Sequence, residues 1–194
     1  MEPLRIYRCN EWGAQPVNRT FPTYDVEGVV IHHTASPNRL PMIGVLERQW
    51  GFRLARTIQR DHLGRGWADS GHHLLLTRGG LALEGRRGTA ASLLKGLVPV
   101  GAHAGDVEVN KRWVGIEVEG RFDAKDAVTA QQWAALVDLC AWVCHWANVD
   151  SQRIEPHSKF RATACPGKLR DRLPDLRQRV HHEKLAIQRF YEAR

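Results

Sequence analysis

The segment VVIHHTAS, residues 29 to 36, carries the strongest strand signal of the chain and ends in residues that can bind a metal. Residues 29 to 31 are β-branched, which favours a strand, and the apolar run from Val26 to His33 predicts a strand buried on both faces. The run ends in two adjacent histidines. Because successive side chains of a strand point to opposite faces, only one of these imidazoles can face a given site.

Length and composition indicate one globular domain. The chain has 194 residues, of which 43% are hydrophobic and 25% charged, so we predict a single domain over residues 1–194. No apolar run is long enough to span a bilayer, and the N-terminus lacks the basic-then-apolar layout of a signal peptide. We therefore expect a monomer without a membrane span that is cytoplasmic as synthesised.

The formal net charge of +7 makes nucleic-acid binding a hypothesis to consider. The last 27 residues, from Lys168, hold eight Lys and Arg against four Asp and Glu, so about half of the excess lies in one tail. No basic stretch is interleaved with aromatic residues, as it is in proteins that bind single strands. We predict no nucleic-acid partner.

The remaining periodicities predict a mixture of strands and helices. Strands are predicted at 73–77, 81–84 and 114–120, and helices at 41–60, from Thr129, and from Leu169 to the end except at Pro174. Residues 1–25 are predicted to be irregular, and 87–100 to be a loop or short helix. The helix at 41–60 is expected to bury Ile43, Leu46, Trp50 and Leu54. This pattern predicts an α/β domain with a central mixed β-sheet flanked by helices.

Three of the four cysteines carry no recognisable motif. Cys140 and Cys144 lie one helical turn apart on the apolar face of a predicted helix, which favours two reduced core cysteines. Together with Cys9 they form neither a metal knuckle nor a disulfide framework.

Two segments combine residues that bind metals. One is the histidine pair at positions 32 and 33, and the other is HSKFRATAC, which places His157 eight residues before Cys165. Catalytic zinc sites take three protein ligands from His, Cys or carboxylate and leave a fourth position open. The spacing therefore favours a zinc site, although a chain with ten histidines also forms such pairs by chance.

Six motifs in the sequence resemble those of one family, in the same order. They are RCNEWGAQP, VVIHHTAS, GWADSGHHLLLTRGGLALEGR, GAHAG, VGIEVEG and HSKFRATACPG. They are similar to motifs of the peptidoglycan recognition proteins and of the zinc N-acetylmuramoyl-L-alanine amidases, which include phage lysozyme amidases and cytoplasmic amidases of cell-wall recycling. The resemblance covers roughly residues 8 to 170 and leaves 171–194 as a helical C-terminal extension.

This resemblance implies a zinc-dependent hydrolase of the amide between N-acetylmuramic acid and L-alanine. The implied substrate is peptidoglycan or soluble muropeptide, and a phage lysin of this kind would act on the wall after its release. The implied Zn²⁺ ligands are His32, His157 and Cys165. His33 would then lie on the other face of the sheet.

Catalytic roles follow from the resemblance for three residues. Glu117, the first glutamate of VGIEVEG, matches the candidate general base, and Glu119 lies on the same strand face. His72 stands where active relatives carry a tyrosine that donates a hydrogen bond near the zinc. Imidazole can also donate, so the role can survive this replacement. Thr163 matches a residue that contacts the substrate carbonyl.

Substrate contacts are expected from His103 of the GAH motif, from Trp67 and from Arg86. The segment between Arg86 and Gly101 is longer than in relatives and is expected to rim or cover the groove.

Two other functions stay open at this point. The tyrosine replacement is compatible with a non-catalytic peptidoglycan-binding module, or with the same scaffold acting on another amide. Pure binders usually lose the cysteine ligand, whereas this chain keeps Cys165. We therefore predict an enzyme.

Overall fold

The computed structural model describes residues 4–124 and 127–193. The ends of the predicted domain, residues 1–3 and 194, lie outside the described residues. The strands are β1 (Ile6–Tyr7), β2 (Thr23–Asp25), β3 (Gly28–His33), β4 (Leu74–Leu76), β5 (Ala82–Glu84), β6 (Leu97–Pro99), β7 (Trp113–Val118) and β8 (Ile154–Pro156). The α-helices are α1 (Gly44–Gly64), α2 (Thr89–Leu93), α3 (Val107–Arg112), α4 (Ala130–Trp146) and α5 (Leu173–Glu192).

Six of these strands form one mixed sheet in the order β1-β5-β4-β7-β3-β8. Strand β3 lies between β7 and β8 and is parallel to both, and β4 is parallel to β7. Strands β4 and β5 form an antiparallel hairpin, while β2 and β6 pair separately. The predicted α/β architecture with a central mixed sheet flanked by helices is confirmed.

Strand β3 is buried on both faces, as its continuous apolar run predicts. Val29 and Ile31 belong to the main core, which also contains residues of α4 and α5. Val30 points to the opposite face, where it packs in a smaller cluster with Trp113. Because side chains alternate along a strand, His32 shares the face of Val30. The site therefore lies on the face of the sheet that α4 and α5 do not cover.

Helix α1 is buried only in part as the sequence predicts. Ile43 and Leu46, which we expected in the core, are 79% and 61% exposed, whereas Trp50 and Leu54 are half-buried. The buried positions of the helix are Glu47, Gly51, Ala55, Gln59 and His62.

Polar contacts and a close approach set the rotation of α1. The Glu47 carboxylate accepts hydrogen bonds from the backbone N–H groups of Met42 and Gly79, at 3.0 and 2.9 Å. Gly51 lies against the hairpin, where a Cβ atom would come within 2.7 Å of a methyl group of Leu81. An unpaired buried backbone donor costs free energy, so these contacts outweigh the burial of the Ile43 and Leu46 side chains.

Helix α4 begins as predicted. Thr129 is its N-cap, and its Oγ1 accepts from the backbone N–H of Gln132 at 3.0 Å. The Gln132 side chain does not cap the helix in return, because it donates to the carbonyl of Glu119 at 2.8 Å. This hydrogen bond joins the first turn of α4 to the residue that follows β7.

Several short elements were not predicted from the sequence. Strands β1 and β2 lie in the segment predicted to be irregular, and residues 87–100 contain both α2 and β6. Pro174 stands in the first turn of α5 and does not interrupt it, because a proline ring fits the first helical turn. None of the described helices is long and apolar enough to cross a membrane.

Candidate metal and catalytic site

Three predicted ligands meet at one end of the sheet. His32 is the fifth residue of β3, and the chain leaving the neighbouring strand β8 carries His157 and Cys165. The nearest donor atoms of these three residues all lie within 4.8 Å of one another. We call His32, His157 and Cys165 the ligand cluster.

The ring of His32 is oriented by a chain of hydrogen bonds. Nε2 of His103 lies 3.1 Å from the carbonyl oxygen of Trp113, and Nδ1 of His103 lies 2.9 Å from Nε2 of His32. A carbonyl only accepts, so Nε2 of His103 carries a proton and its Nδ1 accepts from Nε2–H of His32. This leaves the lone pair on Nδ1 of His32, which lies 3.9 Å from Sγ of Cys165.

His103 therefore orients His32 from the buried side of the ligand cluster. It is only 6% exposed, and both of its ring nitrogens are engaged. We expected it to line the substrate groove, and direct contact with substrate stays a prediction.

The same argument applies to His157. Its Nε2 lies 3.3 Å from the carbonyl oxygen of Ala104, to which it donates, so Nδ1 keeps the lone pair. Hydrogen bonds from the far nitrogen of an imidazole commonly fix the ring of a metal ligand.

Burial keeps both imidazoles neutral. Desolvation lowers the pKa of His32 well below its usual value, and the neighbouring His72 lowers it further. The pKa of His157 is also lowered, mainly by burial. Neutral imidazoles are the form that binds metal.

The thiol of Cys165 is protonated in the metal-free site. Burial raises its pKa to about 12, although the backbone N–H of His33, at 3.3 Å from Sγ, acts in the opposite direction. Binding of a metal would therefore displace this proton. Two oriented nitrogen lone pairs and one sulfur are a donor set that fits Zn²⁺.

Glu117 lies beside the ligand cluster. The parallel register of β3 and β7 pairs it with His32, so both side chains share one face. Burial raises the pKa of Glu117, but the charge and close contact of His72 outweigh it, and the net pKa is lowered. The carboxylate is thus available as a proton acceptor at neutral pH.

His72 contacts both Glu117 and His32. Its Nδ1 lies 3.1 Å from Oε2 of Glu117, off the axis of a directed hydrogen bond. The rings of His72 and His32 are 4.6 Å apart in an edge-to-face arrangement. Its Nε2 makes no hydrogen bond to a described residue. This leaves that atom available to a substrate oxygen.

Glu119 does not join the site, although it shares a strand face with Glu117. Its carboxylate accepts from the guanidinium of Arg39 at 2.8 and 2.9 Å and from the indole of Trp50 at 2.8 Å. The backbone N–H of Arg78 donates to it as well. A carboxylate saturated in this way stabilises the fold and cannot serve as a base.

Thr163 supports the ligand loop. Its Oγ1 accepts from the backbone N–H of Cys165 at 3.2 Å, which holds the turn that presents the thiol. Contact between Thr163 and substrate stays a prediction. His33 lies on the opposite face, stacked on Phe122 at 6.0 Å, as expected.

Trp67 and Arg86 line a cleft of ≈ 430 Å³ beside the site. Trp67 stacks on His62 with ring centroids 4.6 Å apart, and Arg86 is 3% exposed. Sequence reasoning did not assign His62, which accepts from the backbone N–H of Gly71 at 3.0 Å. Nothing in its local sequence indicates that role, since it depends on how α1 packs.

Comparisons with known proteins find similar chains. A family model described as N-acetylmuramoyl-L-alanine amidase matches residues 22–168. The solved structure of the N-acetylmuramoyl-L-alanine amidase LysC from Clostridium intestinale URNW is 26% identical, with a TM-score of 0.60, and the match covers 85% of this chain and 90% of that chain. No curated protein sequence matches.

Peptidoglycan recognition proteins are similar as well. The structure of peptidoglycan recognition protein-LE in complex with tracheal cytotoxin, a monomeric diaminopimelic acid-type peptidoglycan, is 26% identical, with a TM-score of 0.68 and coverage of 84% of this chain and 88% of that chain. Bumblebee PGRP-SA is 22% identical, with a TM-score of 0.71 and coverage of 89% and 95%. This last likeness bears on the fold alone.

Proposed function

Because the chain belongs to the N-acetylmuramoyl-L-alanine amidase family, whose relatives hydrolyse or bind peptidoglycan, we propose that it is a zinc-dependent hydrolase. Its proposed reaction is cleavage of the amide between N-acetylmuramic acid and L-alanine in peptidoglycan or muropeptides. The observation that carries the proposal is the ligand cluster, with donor atoms within 4.8 Å, placed directly beside Glu117.

The proposed metal would be held by Nδ1 of His32, Nδ1 of His157 and Sγ of Cys165. When bound, Zn²⁺ supplies a Lewis acid that polarises an amide carbonyl and lowers the pKa of water. His103 keeps the ring of His32 in the tautomer that binds, through the hydrogen bond of 2.9 Å.

The chain itself supplies the proton transfers. Glu117 takes a proton from the attacking water at its carboxylate and returns it to the departing amine. His72, whose Nδ1 lies 3.1 Å from Oε2 of Glu117, donates from Nε2 to the developing oxyanion. Thr163 is the second proposed contact to the substrate oxygen, and Trp67 and Arg86 bind the substrate beyond the reacting amide.

Zinc content and amide hydrolysis test this proposal together. In protein purified without chelators we expect about one zinc per chain, as in catalytic sites with three protein ligands. The same protein should release the peptide from muramyl-peptides. Cys165→Ser should lose zinc and turnover, whereas Cys144→Ala, a change in the core, should keep both. Equal zinc in the parent and Cys165→Ser would contradict the ligand assignment.

The same assay distinguishes an enzyme from a non-catalytic peptidoglycan-binding protein. Whole sacculi and purified muropeptides are incubated side by side with zinc-loaded protein. Binding of either without release of the amine would assign the chain to the non-catalytic recognition proteins.

His72 variants test the donor that replaces tyrosine. We expect His72→Tyr to retain substantial turnover, because a phenol also donates a hydrogen bond. His72→Phe should lose about 10²- to 10³-fold in kcat, as does removal of one oxyanion donor. The measurement is turnover of a muramyl-peptide at equal zinc content. If His72→Phe is as active as the parent, the imidazole takes no part in the reaction.

A further inference from the structure

Exposed aliphatic side chains are concentrated at the start of helix α1. Leu40 is 86% exposed, Ile43 79% and Leu46 61%, and Val45 lies between them at 54%. These four are half of the large apolar side chains that are strongly exposed in the described parts of the chain. Single exposed aliphatic residues are ordinary on a protein surface. Four within seven positions instead form a patch, which indicates contact with another apolar phase.

The exposed position of Leu40 is fixed by buried ion pairs next to it. The guanidinium of Arg39 bridges two carboxylates, with Nη2 2.6 Å from Oε1 of Glu47 and Nε 2.8 Å from Oε1 of Glu119. Its Nη1 donates to the Leu40 carbonyl at 3.0 Å, and the backbone N–H of Met42 donates to Glu47 at 3.0 Å. Because the chain is held on both sides of Leu40, this side chain cannot turn back onto the core without breaking those contacts.

Arginines continue the patch along the outward side of α1. The buried positions of the helix pack against the sheet. On the opposite side, Leu46, Arg53, Arg56 and Arg60 are exposed and follow one another at spacings of seven, three and four residues, which place them on one side of a helix. They extend over about 21 Å of helix. Within α1, all of which the structure describes, four arginines are exposed against one exposed acidic residue, Asp61.

These arginines have no counter-ion on the chain. Neither Arg53 nor Arg60 forms an ion pair or a side-chain hydrogen bond with a described residue. Arg56 donates to the carbonyl of Trp12 at 2.7 Å, a contact that neutralises no charge. Like charges three and four residues apart on a helix repel one another. Anionic groups spread along the outward side of α1 remove this repulsion.

We propose that the outward side of α1 docks on a lipid bilayer that contains anionic phospholipids. The docking residues, which we call the α1 surface, are Leu40, Ile43, Leu46, Arg53, Arg56 and Arg60. In the docked protein the arginines contact lipid phosphates and the aliphatic side chains insert below the headgroups. A nucleic acid also attracts arginines, but it has no apolar layer to take up exposed aliphatic side chains. The aliphatic patch therefore favours a bilayer.

Vesicle binding tests this docking. The full chain is mixed with sucrose-loaded vesicles, either of pure phosphatidylcholine or with about one-third of it replaced by phosphatidylglycerol, a lipid of the anionic class. The bound fraction is measured by sedimentation over a series of lipid concentrations. We expect the anionic vesicles to bind at least about 100-fold more tightly, since each of three arginines adds about fivefold near such a surface. Equal binding to both vesicles would overturn the proposal.

Paired substitutions of arginine locate the contact. Arg53→Gln with Arg60→Gln removes two charges from the α1 surface and should weaken binding to the anionic vesicles by about 30-fold. Arg170→Gln with Arg189→Gln removes the same charge from exposed positions outside α1 and should weaken binding much less. Equal losses in the two double variants would show that overall charge holds the vesicles, and would overturn the assignment to α1.

A substitution in the aliphatic patch separates a bilayer from other polyanions. Ile43→Ser should weaken binding to the anionic vesicles by about tenfold or more, the range for one inserted aliphatic side chain. Serine is favoured at the N-cap position that Ile43 occupies, so the melting temperature should not fall. Val107→Ser is the matched control, because Val107 is 68% exposed elsewhere. Undiminished binding by Ile43→Ser would assign the α1 surface to a polyanion such as nucleic acid and would reject the bilayer.

Discussion

Replacing Glu117 with glutamine should lower kcat by about 10²- to 10⁴-fold, the usual contribution of a general acid–base group. The change keeps the shape of the side chain and removes only the proton acceptor. Zinc content and thermal stability should therefore stay near those of the parent, because Glu117 is not part of the ligand cluster. Single-turnover hydrolysis of a muramyl-peptide, with zinc measured in the same sample, provides the test.

Glu119→Gln is the matched control for this prediction. Glu119 lies two residues further along and is 2% exposed, but its carboxylate pairs with Arg39. Breaking a buried pair of this kind typically costs about 3–5 kcal/mol, so this variant should unfold at lower temperature and keep its kcat while folded. Full activity in Glu117→Gln would contradict the assignment and move the role of base to His72.

The metal-free protein should unfold as the pH falls below ~6.5, the usual pKa of a histidine in an unfolded chain. Burial lowers the pKa of His62 to about 4 and that of His73 to about 3. Below ~6.5 the unfolded chain binds protons at these two histidines, whereas the folded chain does not. The free energy of unfolding therefore falls as the pH decreases from there towards the folded pKa values. Each group contributes roughly 3 to 5 kcal/mol, a large share of a typical total of about 5–15 kcal/mol.

His62→Asn tests the origin of this acid sensitivity. Asparagine can still accept from the Gly71 N–H but does not titrate, so the slope of unfolding free energy against pH should fall by up to one proton. His181→Asn, on the exposed face of α5, should change nothing. Chemical denaturation in the presence of chelator, between pH 4 and 7, measures both. The explanation fails if parent and His62→Asn share the same acid midpoint.

Local sequence was sufficient for the elements with strong periodic signals. The apolar run ending at His33 predicted β3, and the Thr129 cap predicted the start of α4. The short strands β1, β2 and β6 carry too few residues to show a period. The burial of Ile43 and Leu46 at the start of α1 was predicted wrongly because Glu47 is held by backbone donors from other segments.

The types of the proposed ligand residues and their order along the chain can be read from the sequence. It places His32 at a strand end and His157 eight residues before Cys165, and it shows that only one of two adjacent histidines can face the site. Those facts follow from strand geometry and from the chemistry of imidazole and thiol, which do not depend on distant contacts.

What each of these side chains can do depends on contacts between distant segments of the chain. Glu117 and Glu119 look equivalent in VGIEVEG, but the register of β3 with β7 sets the first beside His32, while Arg39 saturates the second. His103 reads as a loop residue, yet the carbonyl of Trp113 fixes its tautomer and through it that of His32. The partners in these contacts are between 10 and 85 residues apart in sequence, and their pairing depends on sheet register and packing, which no local pattern encodes.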